Sequence, residues 1–178
     1  MTGEYDALVY DLDGTLVRLN VDWKEVTKDA AAVLAAQGVE TEGMDLWDVL
    51  TRAEELGYRD RIEETIAEHE RAGARTSRRL PLAETLPADV PVAVCSLNAE
   101  GACRIALEVH DIDGHVQTVV GRDTVAGHKP DPEPLLASIE GLSADPARTL
   151  FVGDTERDEQ TAKRANVPFQ YVSDRLGD

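Results

Sequence analysis

Apolar positions fall into two rhythms along this chain. Short, nearly continuous apolar runs occur at Tyr5–Tyr10, Val90–Cys95, Val116–Val120, Thr149–Val152 and Phe169–Val172. Runs of this length, bounded by Gly, Pro and acidic residues, predict strands buried on both faces. Between the later runs the apolar spacing becomes helical, over Ala99–Val109, Asp131–Glu140 and Thr155–Asn166. Pro132 suits a first helical position, with Asp131 before it as the cap. Strands alternating with helices predict an α/β fold: a mostly parallel five-stranded sheet with helices on both faces.

The segment from Leu19 to Leu80 breaks this rhythm. Asp22 and Glu25 have the spacing of a capping box. Trp23, Val26, Ala30, Val33 and Leu34 then form a helical stripe that stops at Gly38. Leu46, Trp47, Leu50 and Ala53 form a second, stopping at Gly57. Ile62, Ile66 and Ala67 form a third, stopping near Gly73. Three helices without strands, placed between the first and second strands, predict a lid. Both tryptophans lie in it and read as packing anchors. The stretch Arg71–Arg79 carries four arginines, either a solvated connector or a lid-edge contact for an anionic substrate.

A length of 178 residues suits one domain with a small insertion and is ample for a core. No apolar run approaches the roughly 20 residues of a membrane span. The N-terminus lacks the basic-then-apolar pattern of a signal peptide. Cys95 and Cys103 read as buried, reduced thiols, so a cytoplasmic protein is expected. The net charge is −17, and only four of the eighteen basic residues are lysines. That balance resembles proteins of salt-loving organisms and argues against nucleic acid, which wants a basic face. An anionic substrate would then need a local positive site, which draws attention to each lysine.

The most informative stretch is Tyr10-Asp11-Leu12-Asp13-Gly14-Thr15, where an apolar strand ends in two carboxylates and a Gly-Thr turn. Residues two apart on a strand point the same way. Asp11 and Asp13 can therefore share a site beyond the strand end, where open α/β sheets bind ligands. Two such acids repel each other unless a cation or a shared proton intervenes. A calcium loop beginning at Asp11 would want Gly at its sixth place and Glu at its twelfth. Leu16 and Asp22 stand there, which excludes an EF-hand. Three further segments sit where strands end. Ser96 precedes a helix whose free N–H groups would favour an anion. Lys129 precedes Pro130 and a helix, and Gly153-Asp154 is followed by Asp158 in a first helical turn.

Taken together and in order, Asp11-Leu12-Asp13-Gly14-Thr15, Ser96, Lys129-Pro130, and Gly153-Asp154 with Asp158 resemble the four motifs of the haloacid dehalogenase superfamily. The closer likeness is to its phosphoglycolate phosphatase-like phosphatases, and it covers nearly the whole chain outside the lid. The resemblance implies a Rossmann-like catalytic core at 1–18 and 82–178 and a helical cap at 19–81. The cap and the connector at 82–89 look shorter than is usual in the family. It also implies a Mg²⁺-dependent phosphatase acting on a small phosphorylated metabolite, with no nucleic-acid or membrane partner.

By that resemblance Asp11 attacks phosphorus and Asp13 is the acid and base. Ser96, Asn98, Lys129 and Thr15 contact the phosphoryl group, Thr15 also steadying the turn. Mg²⁺ is held by Asp11, the Asp13 carbonyl and Asp154, with Asp158 nearby. A dehalogenase has no leaving alkoxide to protonate, and Asp13 argues against it. A phosphomutase of the same fold and a non-catalytic phosphate-binding relative remain as alternatives. His69, His110, His115 and His128 read as surface or loop residues.

Overall fold

The computed structural model describes residues 5–86 and 88–177. Among these residues seven strands occur in chain order: β1 (Ala7–Tyr10), β2 (Val17–Arg18), β3 (Arg78–Arg79), β4 (Val92–Cys95), β5 (Thr118–Val120), β6 (Thr149–Gly153) and β7 (Phe169–Tyr171). The helices are α1 (Trp23–Ala35), α2 (Leu46–Glu55), α3 (Arg59–Arg75), α4 (Glu100–Val109), α5 (Glu133–Gly141), α6 (Glu156–Ala165) and α7 (Val172–Leu176). The five expected sheet strands all form, each trimmed or shifted by a residue or two at its ends.

They make one parallel sheet in the order β5-β4-β1-β6-β7. Strand β1 is central, with Val9 opposite Ala93 on one side and Phe151 on the other. Alternate residues along the strands enter different cores. Leu8, Tyr10, Val92, Val94, Leu150 and Val152 pack with Cys103, Ala106 and Leu107 of α4. Ala7, Val9, Ala93, Cys95 and Phe151 pack with Leu135 and Ile139 of α5 and Ala162 and Ala165 of α6. Both faces are covered, which is why the strands read as continuous apolar runs. Truncating a fully buried side chain such as Leu107 or Ile139 to Ala would cost about 2–5 kcal/mol.

Helices α1, α2 and α3 form a separate core of Val26, Ala30, Leu34, Val49, Leu50, Ala53, Ile62 and Ile66. The Asp22 carboxylate caps α1 by accepting from the amides of Lys24 (3.0 Å) and Glu25 (3.3 Å). The expected reciprocal half is absent, because Glu25 turns to Lys28 Nζ at 2.8 Å. A full capping box occurs instead at α2, between Asp45 and Asp48. The α5 helix starts one residue later than expected, at Glu133 with Pro132 rather than Asp131 at the cap position, and Asp131 accepts from the Glu133 amide at 2.8 Å from just outside the helix.

The antiparallel β2–β3 ribbon pairs Val17 with Arg79 and Arg18 with Arg78, closing the base of the three-helix insertion. Two residues per strand are too few for a periodic signal. Of the four arginines at the end of the insertion, Arg71 pairs with Glu64, and Arg79 with Glu84 and the carbonyls of His110 and Ala83. Among the described residues, no helix is long and apolar enough to cross a membrane.

Candidate active site

The carboxyl end of β1 builds the first part of the site. The Asp11 amide still donates to the Val152 carbonyl of β6 at 2.9 Å, so the strand is paired up to its last functional residue. The chain then folds tightly, with Leu16 and Val17 donating to the Leu12 carbonyl and Gly14 to that of Val17. Gly14 has φ +94, and a Cβ there would stand 2.0 Å from Asp154 Oδ2. Glycine is therefore required twice, for the left-handed backbone and for the approach of Asp154. Asp13 accepts from the Leu19 amide at 3.0 Å, with Arg18 3.9 Å away. Thr15 is fully buried, and its Oγ1 has no hydrogen-bond partner among the described residues.

Neighbouring strand ends bring the other residues together. Lys129, nearly buried, donates to Asp11 Oδ1 at 2.8 Å and to Asp158 Oδ1 at 2.5 Å. Its peptide bond to Pro130 is cis. Asp158 sits in the first turn of α6, and its second oxygen accepts from the Thr155 amide (3.1 Å) and hydroxyl (2.6 Å). Both oxygens of Asp158 thus have protein donors. Asp154 Oδ1, in contrast, is buried with no partner among the described residues. Oxygens of Asp11, Asp154 and Asp158 lie within 4.8 Å of one another. An all-oxygen donor set of three clustered acids, two of them paired to Lys129 and the third with an orphaned oxygen, fits a hard divalent cation.

The electrostatics follow from this crowding. Burial pushes the Asp11 carboxyl up to about 7, against the pull of Lys129 and with Asp158 and Asp154 adding to the rise. Burial also raises Asp13, opposed by the Leu19 amide and Arg18. Asp154 is raised by burial and then by the Asp158 charge. Burial works against the Lys129 cation, yet the carboxylates of Asp11 and Asp158 outweigh it and keep the ammonium charged. Burial takes the Cys95 thiol up to about 12, and Cys103 is raised as well; both are free and buried.

Ser96 and Asn98 close the end of β4. The Ser96 hydroxyl donates to Asn98 Oδ1 and accepts from the Asn98 amide, each at 3.1 Å. The α4 amides expected to be free for an anion are occupied. Ala99 N donates to Glu70 Oε2 at 2.9 Å and Glu100 N to Asp123 Oδ1 at 2.7 Å. Glu70, fully buried on α3, also accepts from Asn98 Nδ2 (3.1 Å) and from both terminal nitrogens of Arg122 (2.7 and 3.1 Å). Arg122 is further held by Glu63 and the Leu97 carbonyl. This network ties α3 to the end of β4 and was not anticipated from the sequence. The available signal was an acid in an apolar stripe: Glu70 lies four residues after Ile66 and four before Ala74, both buried.

One further expectation needs correction. Trp23 and Trp47 are not packing anchors: they are 42% and 49% exposed and line a cavity together with the strand-end residues. Both sit at helix starts, outside the stripe that packs the three-helix core. His128 lies in a loop, as expected, with its Nε2 3.0 Å from an Arg59 nitrogen and its buried Nδ1 without a partner among the described residues. The cavity, of about 450 Å³, touches Asp11, Asp13, Ser96, Asn98 and Lys129, so these expected residues share one space. Thr15 is not part of that wall.

Residues 8–172 match the family model for haloacid dehalogenase-like hydrolases. A phosphoglycolate phosphatase of Rhodospirillum rubrum is 31% identical over 94% of this chain and 79% of its own. The pyrophosphatase PpaX of Oceanobacillus iheyensis is 27% identical over 96% of this chain and 85% of its own. Among solved structures, a candidate phosphoglycolate phosphatase from Lactobacillus plantarum superposes with a TM-score of 0.66 at 26% identity, covering 95% of this chain and 86% of that one. The strand order, the carboxylates at the strand ends and these similarities agree, and the chain belongs to the haloacid dehalogenase-like hydrolases, in their phosphoglycolate phosphatase-like branch.

Proposed function

We propose that the protein is a Mg²⁺-dependent phosphate monoester hydrolase acting on a small phosphorylated metabolite through an aspartyl-phosphate on Asp11. The core at 1–18 and 82–178 is its catalytic unit, the segment 19–81 its cap, and the cytoplasm its place of work. The observation that carries the reading is the Asp11 carboxylate at the end of the central strand, held by Lys129 and clustered with Asp154, one of whose oxygens has no partner among the described residues.

Asp11 attacks phosphorus, and the bond to the ester oxygen breaks as the new one forms. Asp13, whose carboxyl is raised by burial, gives its proton to the leaving oxygen. It then takes a proton from the water that attacks phosphorus, releasing phosphate and restoring Asp11. Lys129 and Ser96 bind the phosphoryl oxygens, and Asn98 orients Ser96 through their paired hydrogen bonds. Thr15 holds the turn that carries Asp13. Asp11, the Asp13 carbonyl and Asp154 would hold Mg²⁺, with Asp158 steadying the set through Lys129. The bound ion supplies charge neutralisation between carboxylate and phosphate and orients the transferred group.

A phosphate-release screen over small phosphorylated metabolites, with Mg²⁺ at low and high salt, tests this reading. Release that needs Mg²⁺ and disappears in Asp11→Asn is expected. Full activity in excess chelator would contradict it.

A further inference from the structure

The cap side of the active-site cavity is apolar and, among the described residues, has no basic side chain. Trp23, Leu46, Trp47, Leu50 and Ile66 form most of that part of the wall, with Thr27 beside them, and its ionisable members, Asp45 and Glu70, are acids. The two basic residues in the wall come from the core and are already engaged. Lys129 lies between Asp11 and Asp158, and Arg122 between Glu63 and Glu70. Arg18 and Arg157 stand outside the wall. Arg18 is 3.9 Å from Asp13, and the Arg157 guanidinium is 5.1 Å from the centre of the Trp47 ring. Two half-exposed indoles in one cavity are available apolar surface, Trp47 carrying the Arg157 guanidinium against its ring.

We propose that Trp23 and Trp47 form the leaving-group subsite, and that it selects phosphate monoesters of uncharged, ring-bearing alcohols over esters with a second anionic group. The proposal deepens the phosphatase reading above and rests on it. The phosphoryl group is bound by Lys129 and Ser96, so the leaving group must lie against the cap wall. A carboxylate there meets the Asp45 acid and no basic side chain of the cap, Glu70 being fully buried against Arg122, Asn98 and the Ala99 amide. A flat apolar ring can lie against the indoles, as aromatic pairs do in offset or edge-to-face contact. A two-carbon leaving group such as glycolate would also leave much of the 450 Å³ unfilled. Several relatives are named for phosphoglycolate, a carboxylate-bearing ester. This cavity therefore implies a different preference on the same fold.

The test compares benzyl phosphate with 2-phosphoglycolate, two esters of primary alcohols, so neither has an activated aryl leaving group. With Mg²⁺, kcat/KM should favour benzyl phosphate by roughly tenfold or more, the scale of one aromatic contact plus one uncompensated charge. Trp23→Leu and Trp47→Leu should each shrink that ratio, mainly through the KM of benzyl phosphate. A binding readout runs in parallel on the unaltered protein. The chain's two tryptophans are these two, so saturable change of indole emission by benzylphosphonate, and weaker change by phosphonoacetate, is expected. Equal or greater kcat/KM for 2-phosphoglycolate would overturn the subsite while leaving the phosphatase reading standing. No phosphate release from benzyl phosphate, with benzylphosphonate still saturating the emission change, would overturn the leaving-group role of the indoles, and the phosphatase reading would then be decided by the metabolite screen. Emission indifferent to benzylphosphonate would overturn the subsite whatever the turnover.

Discussion

Lys129 Nζ lies 2.8 Å from Asp11 Oδ1, although 118 residues separate the two in the chain. The same ammonium reaches Asp158 at 2.5 Å, so one buried cation holds two buried acids. Lys129→Met should leave both carboxylates uncompensated. Removing one partner from a buried pair typically costs about 3–5 kcal/mol. Urea unfolding of the metal-free protein should show a loss of that order, with part of it recovered on adding Mg²⁺. Turnover should fall with it.

The two acids after β6 should behave differently. Asp154 has a buried oxygen without a partner among the described residues, whereas Asp158 is satisfied by Lys129 and Thr155. Asp154→Ala should weaken Mg²⁺ binding, read by titration calorimetry, more than Asp158→Ala does. Asp158→Ala should instead lose stability, because it removes the capping box of α6, worth about 1 kcal/mol, and frees a buried lysine. Calcium should inhibit, since it accepts more ligands in looser geometry than Mg²⁺.

Stability of the metal-free protein should fall as pH rises from about 4 to about 7. The native Asp11 carboxyl titrates at about 7, against 3.8 for the free group, so the native state binds the extra proton between those values. Mg²⁺ needs the deprotonated carboxylate, so the melting shift it produces should grow over the same window. Thermal melts with Mg²⁺ and with chelator, at the two ends of the window, check both signs.

The charge of −17 should repel a phosphate ester at low salt and strain the fold by self-repulsion. Raising salt shortens the Debye length from about 10 Å at 0.1 M to about 3 Å at 1 M. Melting temperature and kcat/KM should both rise toward molar KCl, because the buried Asp11–Lys129 contacts are screened much less than the surface. A monotonic fall in both would show that the acidic surface is no adaptation to salt.

How much could be read from the chain depended on how local each feature was. Asp11, Asp13 and Gly14 stand within one short run, and the apolar strand before them fixes which way they face. Lys129, Asp154 and Asp158 carried little signal one by one and stood out through the resemblance of the ordered set to the motifs of the haloacid dehalogenase superfamily. Glu70 and Arg122 were not, since they meet across 52 residues and a single acid in so acidic a chain carries little information. The tryptophans misled for a related reason. Apolar helical spacing predicts burial, but residues at a helix start can swing off the packed stripe, and Trp23 and Trp47 do so. The β2–β3 ribbon was too short to have a pattern.

The central claim is that Asp11 carries the phosphoryl group. It is tested most directly by trapping that bond in Asp13→Asn, where the nucleophile remains and the base for its release does not. General acid–base catalysis is worth about 10²–10⁴-fold, so an ester with a good leaving group should phosphorylate this variant faster than water clears it. Acid quench, borohydride reduction and peptide mass mapping should find homoserine at position 11, and none after Asp11→Asn or in chelator. Turnover that survives Asp11→Asn, or a reduced residue at any other position, would contradict the account.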